Sequence, residues 1–155
     1  MAGHLTLAII KPHVVFGRKV GRIISDVEDA GFGVIAGKML LLREEGAREF
    51  YKEHEEKDFF SYLVKVMSSG PVWILLLAKT NCVEEWRNFI GTTNPAEAAE
   101  GTLRHKYGDH VNMTMNAVHG SATDHDALRE INFFFSRELS LLKELDAADN
   151  ESGVQ

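Results

Sequence analysis

Apolar residues in this chain arrive in strand-length runs, with segments of helical period between them. Leu5 to Lys11 is one run, closed by Pro12, Val34 to Leu42 is a second, and Val72 to Ala78, the longest with no polar residue or glycine inside it, is a third. All three read as buried strands. Between the first two, Val20, Ile23, Ile24 and Val27 recur at helical spacing, and Gly31 stands where a chain leaves a helix through a left-handed residue, so 18–30 reads as a helix. Glu44 to Met67 gives two short helices, ended by Ser69-Gly70-Pro71, and Val83 to Ile90 gives another. The stretch 91–112, with its Gly, Thr, Asn and Pro, reads as a long ordered loop of the kind that usually serves function. Met113 to Val118 alternates weakly as a fourth strand. Thr123-x-x-Asp126 then opens a helix that carries the stripe Leu128, Ile131 and Phe135 and runs to about Phe135. This order predicts an α+β fold, a ferredoxin-like split βαβ unit with a four-stranded antiparallel sheet and helices packed on it.

With 155 residues, 45% of them hydrophobic and 26% charged, the chain is long enough for one well-filled core. Residues 1–137 are expected to form that domain. Residues 138–155 are expected to be a partly disordered C-terminal extension, apolar at Leu139, Leu141, Leu142 and Leu145 and then acidic and polar. Seventeen basic against 23 acidic residues leave a net charge of -6, which argues against general nucleic-acid binding. Any phosphate site has to come from locally placed Arg and Lys. Cys82 is the only cysteine, so neither an intramolecular disulfide nor a thiolate metal site is expected, and a reducing compartment fits. The longest apolar run is far short of a membrane span, and the expected location is the cytoplasm.

A glycine-rich phosphate loop is missing. Gly33-Val34-Ile35-Ala36-Gly37-Lys38-Met39 has three residues between its glycines where such a loop needs four, and Met39 where it needs Ser or Thr, so it is a strand segment. What remains is a scattered set of residues with a common chemistry. Lys11 closes the first strand, and Arg87, Thr93 and Arg104 surround the 91–112 loop with two guanidinium groups and a hydroxyl suited to phosphate oxygens. Taken singly, these are ordinary surface residues. The sharper feature is Asn116-Ala117-Val118-His119-Gly120-Ser121, an imidazole at a strand end followed by a glycine that lets the backbone turn. Taken alone, a histidine at a strand end is more often a structural residue. Glu130, in the helix that returns, could accept the proton of one ring nitrogen and leave the other free to attack phosphorus.

Taken together, these segments resemble the nucleoside diphosphate kinase family over about residues 4–136. They are Leu7 to Pro12, Phe50-Tyr51 with His54 and Phe59-Phe60, Ser69-Gly70-Pro71-Val72, Gly91 to Pro95, Gly101 to Arg104, Asn116 to Ser121, and Arg129-Glu130 to Phe135. The resemblance implies ping-pong transfer of the terminal phosphate of a nucleoside triphosphate, typically ATP, to a nucleoside diphosphate through phospho-His119. It implies that Glu130 orients His119 and that Tyr51 helps position it. Lys11 and Asn116 would touch the sugar hydroxyls, Lys11 also the phosphate beside them, while Arg87, Thr93 and Arg104 would hold the phosphates. Phe59 would stack on the base, and Ser121 with Gly120 would support the glutamate and the turn. Mg²⁺ would travel mainly on the nucleotide phosphates, with no protein metal ligand assigned, and the chain would form a homo-oligomer: a dimer, tetramer or hexamer.

Three positions depart from the family pattern. Ala122 and His13 stand where aspartate is usual, and Glu100 replaces a proline in a loop that helps form the oligomers. The segment from Arg104 to Asn116 also carries two residues more than the common spacing, so base contacts within 105–115 are left unassigned. One rival reading is a catalytically silent relative used as a binding or regulatory module. Such a relative is expected to lose the nucleophile or phosphate ligands, and all of them are present here. A sheet-based RNA-binding module is the other rival, and it lacks the aromatic strand motifs.

Overall fold

The computed structural model describes residues 3–152. Its sheet has four strands: β1 (Leu5–Ile10), β2 (Gly33–Leu41), β3 (Pro71–Ala78) and β4 (Val118–Gly120), in the order β2-β3-β1-β4 with antiparallel pairing throughout. The central strands alternate between two cores. Leu7 and Ile9 of β1, with Val72, Ile74 and Leu76 of β3, face one cluster, while Ala8, Ile10, Leu75 and Leu77 face the other. Helices cover both faces, so β1 and β3 are buried on both sides and read as unbroken apolar runs.

The first cluster lies under α3 (Glu44–Phe50), α4 (Phe60–Met67) and α7 (Asp124–Ser152). The second lies under α2 (Val20–Asp29) and α5 (Cys82–Ile90), with short helices α1 (Pro12–Phe16) and α6 (Leu103–Tyr107) at its margin. Full burial of each Leu or Ile in these layers contributes about 1.5–3 kcal/mol. Gly31 leaves α2 with φ 84°, as the exit through a left-handed residue requires.

Several sequence expectations are corrected. β2 is an edge strand and not a buried one: Ile35, Met39 and Leu41 are exposed, and only its other face packs inward. The fourth strand is not Met113 to Val118 but Val118–Gly120, because Asp109, Asn112 and Thr114 tie the preceding residues into local turns. α1 and α6 were not anticipated, and α6 occupies part of the stretch expected to be loop. Five-residue helices are too short to show a 3.6-residue period.

In α7 the inward stripe is Ala127, Ile131, Phe134 and Phe135, whereas Leu128 is exposed. Thr123 caps this helix as expected: its hydroxyl accepts the Asp126 amide at 3.0 Å and donates to the Asp126 carboxylate at 2.7 Å. Helical dihedrals break at Phe135 (φ -127°, ψ 31°), and the helix then resumes to Ser152. Leu139 of the expected extension is buried, Leu141 is exposed, and the side chain of Leu145 and residues 153–155 lie outside the described residues.

Candidate active site

Antiparallel pairing of β1 with β4 sets Ile9 opposite His119 and Ile10 opposite Val118, so Lys11, one step past β1, and His119 emerge at the same edge of the sheet. His119 Nε2 is hydrogen-bonded to the carboxylate of Glu130, which α7 presents from a buried position. The imidazole packs edge-on against Phe50 at 5.3 Å and Tyr51 at 5.7 Å between ring centroids. Its own carbonyl accepts the Trp86 indole N–H at 3.1 Å. A carboxylate at Nε2 fixes the proton there and leaves the Nδ1 lone pair free.

Gly120 is needed for a different reason from the one its sequence context suggested. It is not in the left-handed region; a Cβ there would come within 2.9 Å of the Trp86 ring and 3.0 Å of Ile90. The residue that turns the chain is Ala117, at φ 73°. Val118 N–H reaches back to the Asn116 carbonyl at 2.9 Å, which makes Ala117 the centre of a γ-turn of the rare positive-φ kind. For a residue with a Cβ this conformation costs about 1–3 kcal/mol and persists only where the surroundings fix it. Here Lys11 N–H donates to the Ala117 carbonyl at 2.9 Å, and the Ala117 N–H donates to His13 Nε2 at 3.1 Å. The Asn116 side-chain amide donates to the Thr93 carbonyl at 2.9 Å, tying this turn to the loop after α5.

The cations gather beside this turn. Lys11 is buried and donates to the Thr114 carbonyl at 3.1 Å; burial, with Arg104 nearby, pulls its ammonium down to about 7. Arg104 donates to the carbonyls of Gly91 and Val118, each at 3.1 Å, and burial together with the charge of Arg87 pulls it down to about 10. Arg87 and Thr93 stand exposed at the rim. Burial and the Glu130 carboxylate push the Tyr51 hydroxyl well above its ordinary range, so it stays protonated and can donate.

Among the described residues, His13 Nδ1, Tyr51 Oη, Arg104 Nε, Asn116 Oδ1 and Ser121 Oγ in this region, with Thr6 Oγ1 of β1, are buried with no hydrogen-bond partner. Each such atom costs about 1–3 kcal/mol. Ser121, expected to support Glu130, makes no hydrogen bond to it. Converging donors and mutually repelling cations suit a ligand rich in anionic oxygen.

Phe59 caps α4 with 45% of its surface exposed, a poor position for a core residue and a good one for a stacking platform. A line of rings joins it to His119: Phe59 lies 5.7 Å from His54, His54 lies 6.4 Å from Tyr51, and Tyr51 faces His119. Across from α4, Asn112 donates to the Tyr62 hydroxyl at 2.7 Å, linking the 108–116 segment to that helix. No group of three or more His, Cys, Asp or Glu that could hold a metal ion occurs among the described residues. Sequence reasoning missed Phe50, Trp86, Ala117 and the partner of His13. The spacing of Lys11 and His13 could have pointed to His13, but an alanine in a γ-turn leaves no trace in sequence.

The model of the family described as nucleoside diphosphate kinase matches residues 4–139. A nucleoside diphosphate kinase of Histophilus somni strain 2336 is 51% identical over 131 residues, which span 84% of this chain and 92% of that protein. One of Pasteurella multocida strain Pm70 is 47% identical over 135 residues, 87% of this chain and 96% of that one. The crystal structure of the Aquifex aeolicus nucleoside diphosphate kinase is similar at TM-score 0.83 and 36% identity, covering 86% of this chain and 96% of that one. That of a halophilic nucleoside diphosphate kinase from Halobacterium salinarum in complex with CDP is similar at TM-score 0.82 and 33% identity, covering 88% and 90%.

Proposed function

The chain belongs to the nucleoside diphosphate kinase family and is a phosphotransferase of that kind, and from this premise we propose that it works by ping-pong transfer with His119 as the phosphate carrier. His119 Nδ1 forms a bond to the terminal phosphorus of a nucleoside triphosphate as the bond from phosphorus to the bridging oxygen breaks, and the nucleoside diphosphate leaves. The Nε2 proton stays in place, and the positive ring that results is balanced by Glu130. A second nucleoside diphosphate reverses these steps. The transition state is loose, so positioning and fixed charge carry the rate. Lys11, Arg87 and Arg104 supply the charge, Thr93 and the Tyr51 hydroxyl add donors, Asn116 and Lys11 hold the sugar, and Phe59 stacks on the base without reading its edges.

The pairing of His119 with Glu130 beside the buried cations is the observation that carries this reading. Mg²⁺ would be held by nucleotide oxygens: the one carboxylate in contact with the histidine is already committed to it, and Ala122 offers none. No helix among the described residues is long and apolar enough to cross a membrane. The chain is also proposed to form a stable dimer and a weaker larger assembly, because exposed Glu100 adds a charge to the loop between α5 and α6 and gives up the stiffness of proline. Light scattering should show that assembly dissociating on dilution and strengthened by Glu100→Pro.

Incubation with γ-labelled ATP tests the chemistry. Label should appear on His119 as an acid-labile phosphoenzyme that is discharged by any nucleoside diphosphate, and His119→Ala should lose label and turnover together. Label retained by that variant would overturn the assignment.

A further inference from the structure

The structure gives His13 a defined task. Its Nε2 accepts the Ala117 amide at 3.1 Å, and Ala117 is the strained residue between Asn116 and His119. The other two hydrogen bonds that fix the turn, Lys11 N–H to the Ala117 carbonyl and Val118 N–H to the Asn116 carbonyl, join backbone to backbone. Among the described residues, His13 is the side chain that bonds Ala117 itself, while Asn116 and Arg104 hold the residues on either side of it. We propose that His13 is a positioning residue for phosphoryl transfer, whose neutral imidazole clamps the γ-turn at Ala117 and so aims His119 and Asn116 at the same nucleotide. The inference rests on the reading of His119 as the phosphate carrier.

Geometry and charge agree. An amide N–H is satisfied only by a lone pair, so the Nδ1 of His13 carries the ring proton. A protonated ring would have two N–H groups and no acceptor, and it would turn a donor toward the Ala117 amide. Burial and the Lys11 ammonium oppose that proton while the Asp109 carboxylate favours it, and the balance pulls the ring down to about 4. The clamp is therefore closed at neutral pH and opens in acid. A carboxyl group at this position would keep an acceptor oxygen in either protonation state, so an acid limb set by residue 13 is a property of this chain's histidine. Misplacing reacting atoms by about 1 Å can lower rate on the order of 10²-fold, which gives the clamp kinetic weight.

Single-turnover labelling of His119 by γ-labelled ATP between pH 3.5 and 8, a range that spans the His13 transition, tests the proposal alongside steady-state kcat and KM. His13→Leu should slow labelling by at least about tenfold with little change in KM, because the aim of the nucleophile is lost and not the grip on the base. His13→Gln, whose carbonyl oxygen reaches about as far as Nε2, should keep most of the rate and lose the part of the acid-side decline that His13 sets, leaving the part that protonation of the attacking imidazole imposes on any variant. Adding Ala117→Gly to His13→Leu should restore the rate, since glycine adopts the turn without strain. Wild-type labelling in His13→Leu, a loss that Ala117→Gly does not repair, or an acid limb in His13→Gln identical to that of wild type would each overturn it. If His13→Leu does not fold, the pH profile of His13→Gln still decides. Label surviving in His119→Ala would instead remove the reading beneath the proposal, so the two failures are distinguishable.

Discussion

The site has two walls built on opposite principles. On the side of His119, the imidazole and its own backbone are partnered: Nε2 has Glu130, the ring has Phe50 and Tyr51, and the carbonyl has Trp86, while the Tyr51 and Ser121 hydroxyls beside it have no partner among the described residues. On the side of the phosphates, Lys11 is buried near Arg104, Arg104 is repelled by Arg87, and buried atoms of Arg104 and Asn116 lack partners among the described residues. The first wall sets opposite charge character against its imidazole and leaves only neutral hydroxyls unpaired. The second holds energy that an anion with many acceptor oxygens releases, which is how binding can be strong without a glycine-rich loop. The difference teaches that this fold spends stability on recognition and keeps its chemistry rigid.

Removing a frustrated cation gives the largest break in the comparison. Lys11→Met should lower kcat/KM by about 10²–10³-fold, the range for one donor at a developing charge. The same change should raise the melting temperature of the nucleotide-free protein at pH 6. There, below both the folded value of about 7 and the ordinary value of 10.5, the ammonium is buried and charged, and its cost is fully present. As pH rises from 7 toward 10.5 the folded state releases the proton first, so wild type should gain stability on the variant. A thermal scan from pH 6 to 10 checks this, and a variant less stable than wild type at pH 6 would place Lys11 on the first wall.

Breaking the other wall should look different. Glu130→Gln keeps an acceptor for His119 Nε2 but removes the charge that balances the phosphorylated ring, so single-turnover transfer should slow on the order of 10²-fold. The dissociation constant for nucleotide should not change. A weakened dissociation constant with an unchanged rate would show that Glu130 belongs to binding. At the mouth of the site, Phe59→Ala should cost about 1–3 kcal/mol of affinity for purine and pyrimidine nucleotides alike. Its melting temperature should barely move, because the ring is 45% exposed. The smallest signal sharpens the contrast. With Lys11 near half-protonated at pH 7, nucleotide binding should take up at most about half a proton, read by calorimetry in two buffers of different ionisation heat.

Legibility in sequence followed the same division. The central strands were plain because β1 and β3 are apolar on both faces, and Lys11, His119 and Glu130 stood out once their order along the chain was read together. β2 misled because its exposed face also carries Ile35, Met39 and Leu41, so the solvent side looked like core. The fourth strand was misplaced because Met113 to Val118 alternates like a strand, while side-chain turns at Asp109 and Asn112 take up its backbone instead. No pattern could reveal that Gly120 is forced by the Trp86 ring or that Ala117 is left-handed, since both depend on contacts between segments far apart in the chain.

The break at Phe135 has a mechanical consequence. Glu130 sits just over one turn before it, and Phe135, buried in the core with Leu139, pins the joint to the sheet. Pull or twist applied to the far end of α7 meets this buried anchor before it reaches Glu130. A fluorescent or affinity tag fused after Gln155 should thus leave the transfer rate as it is.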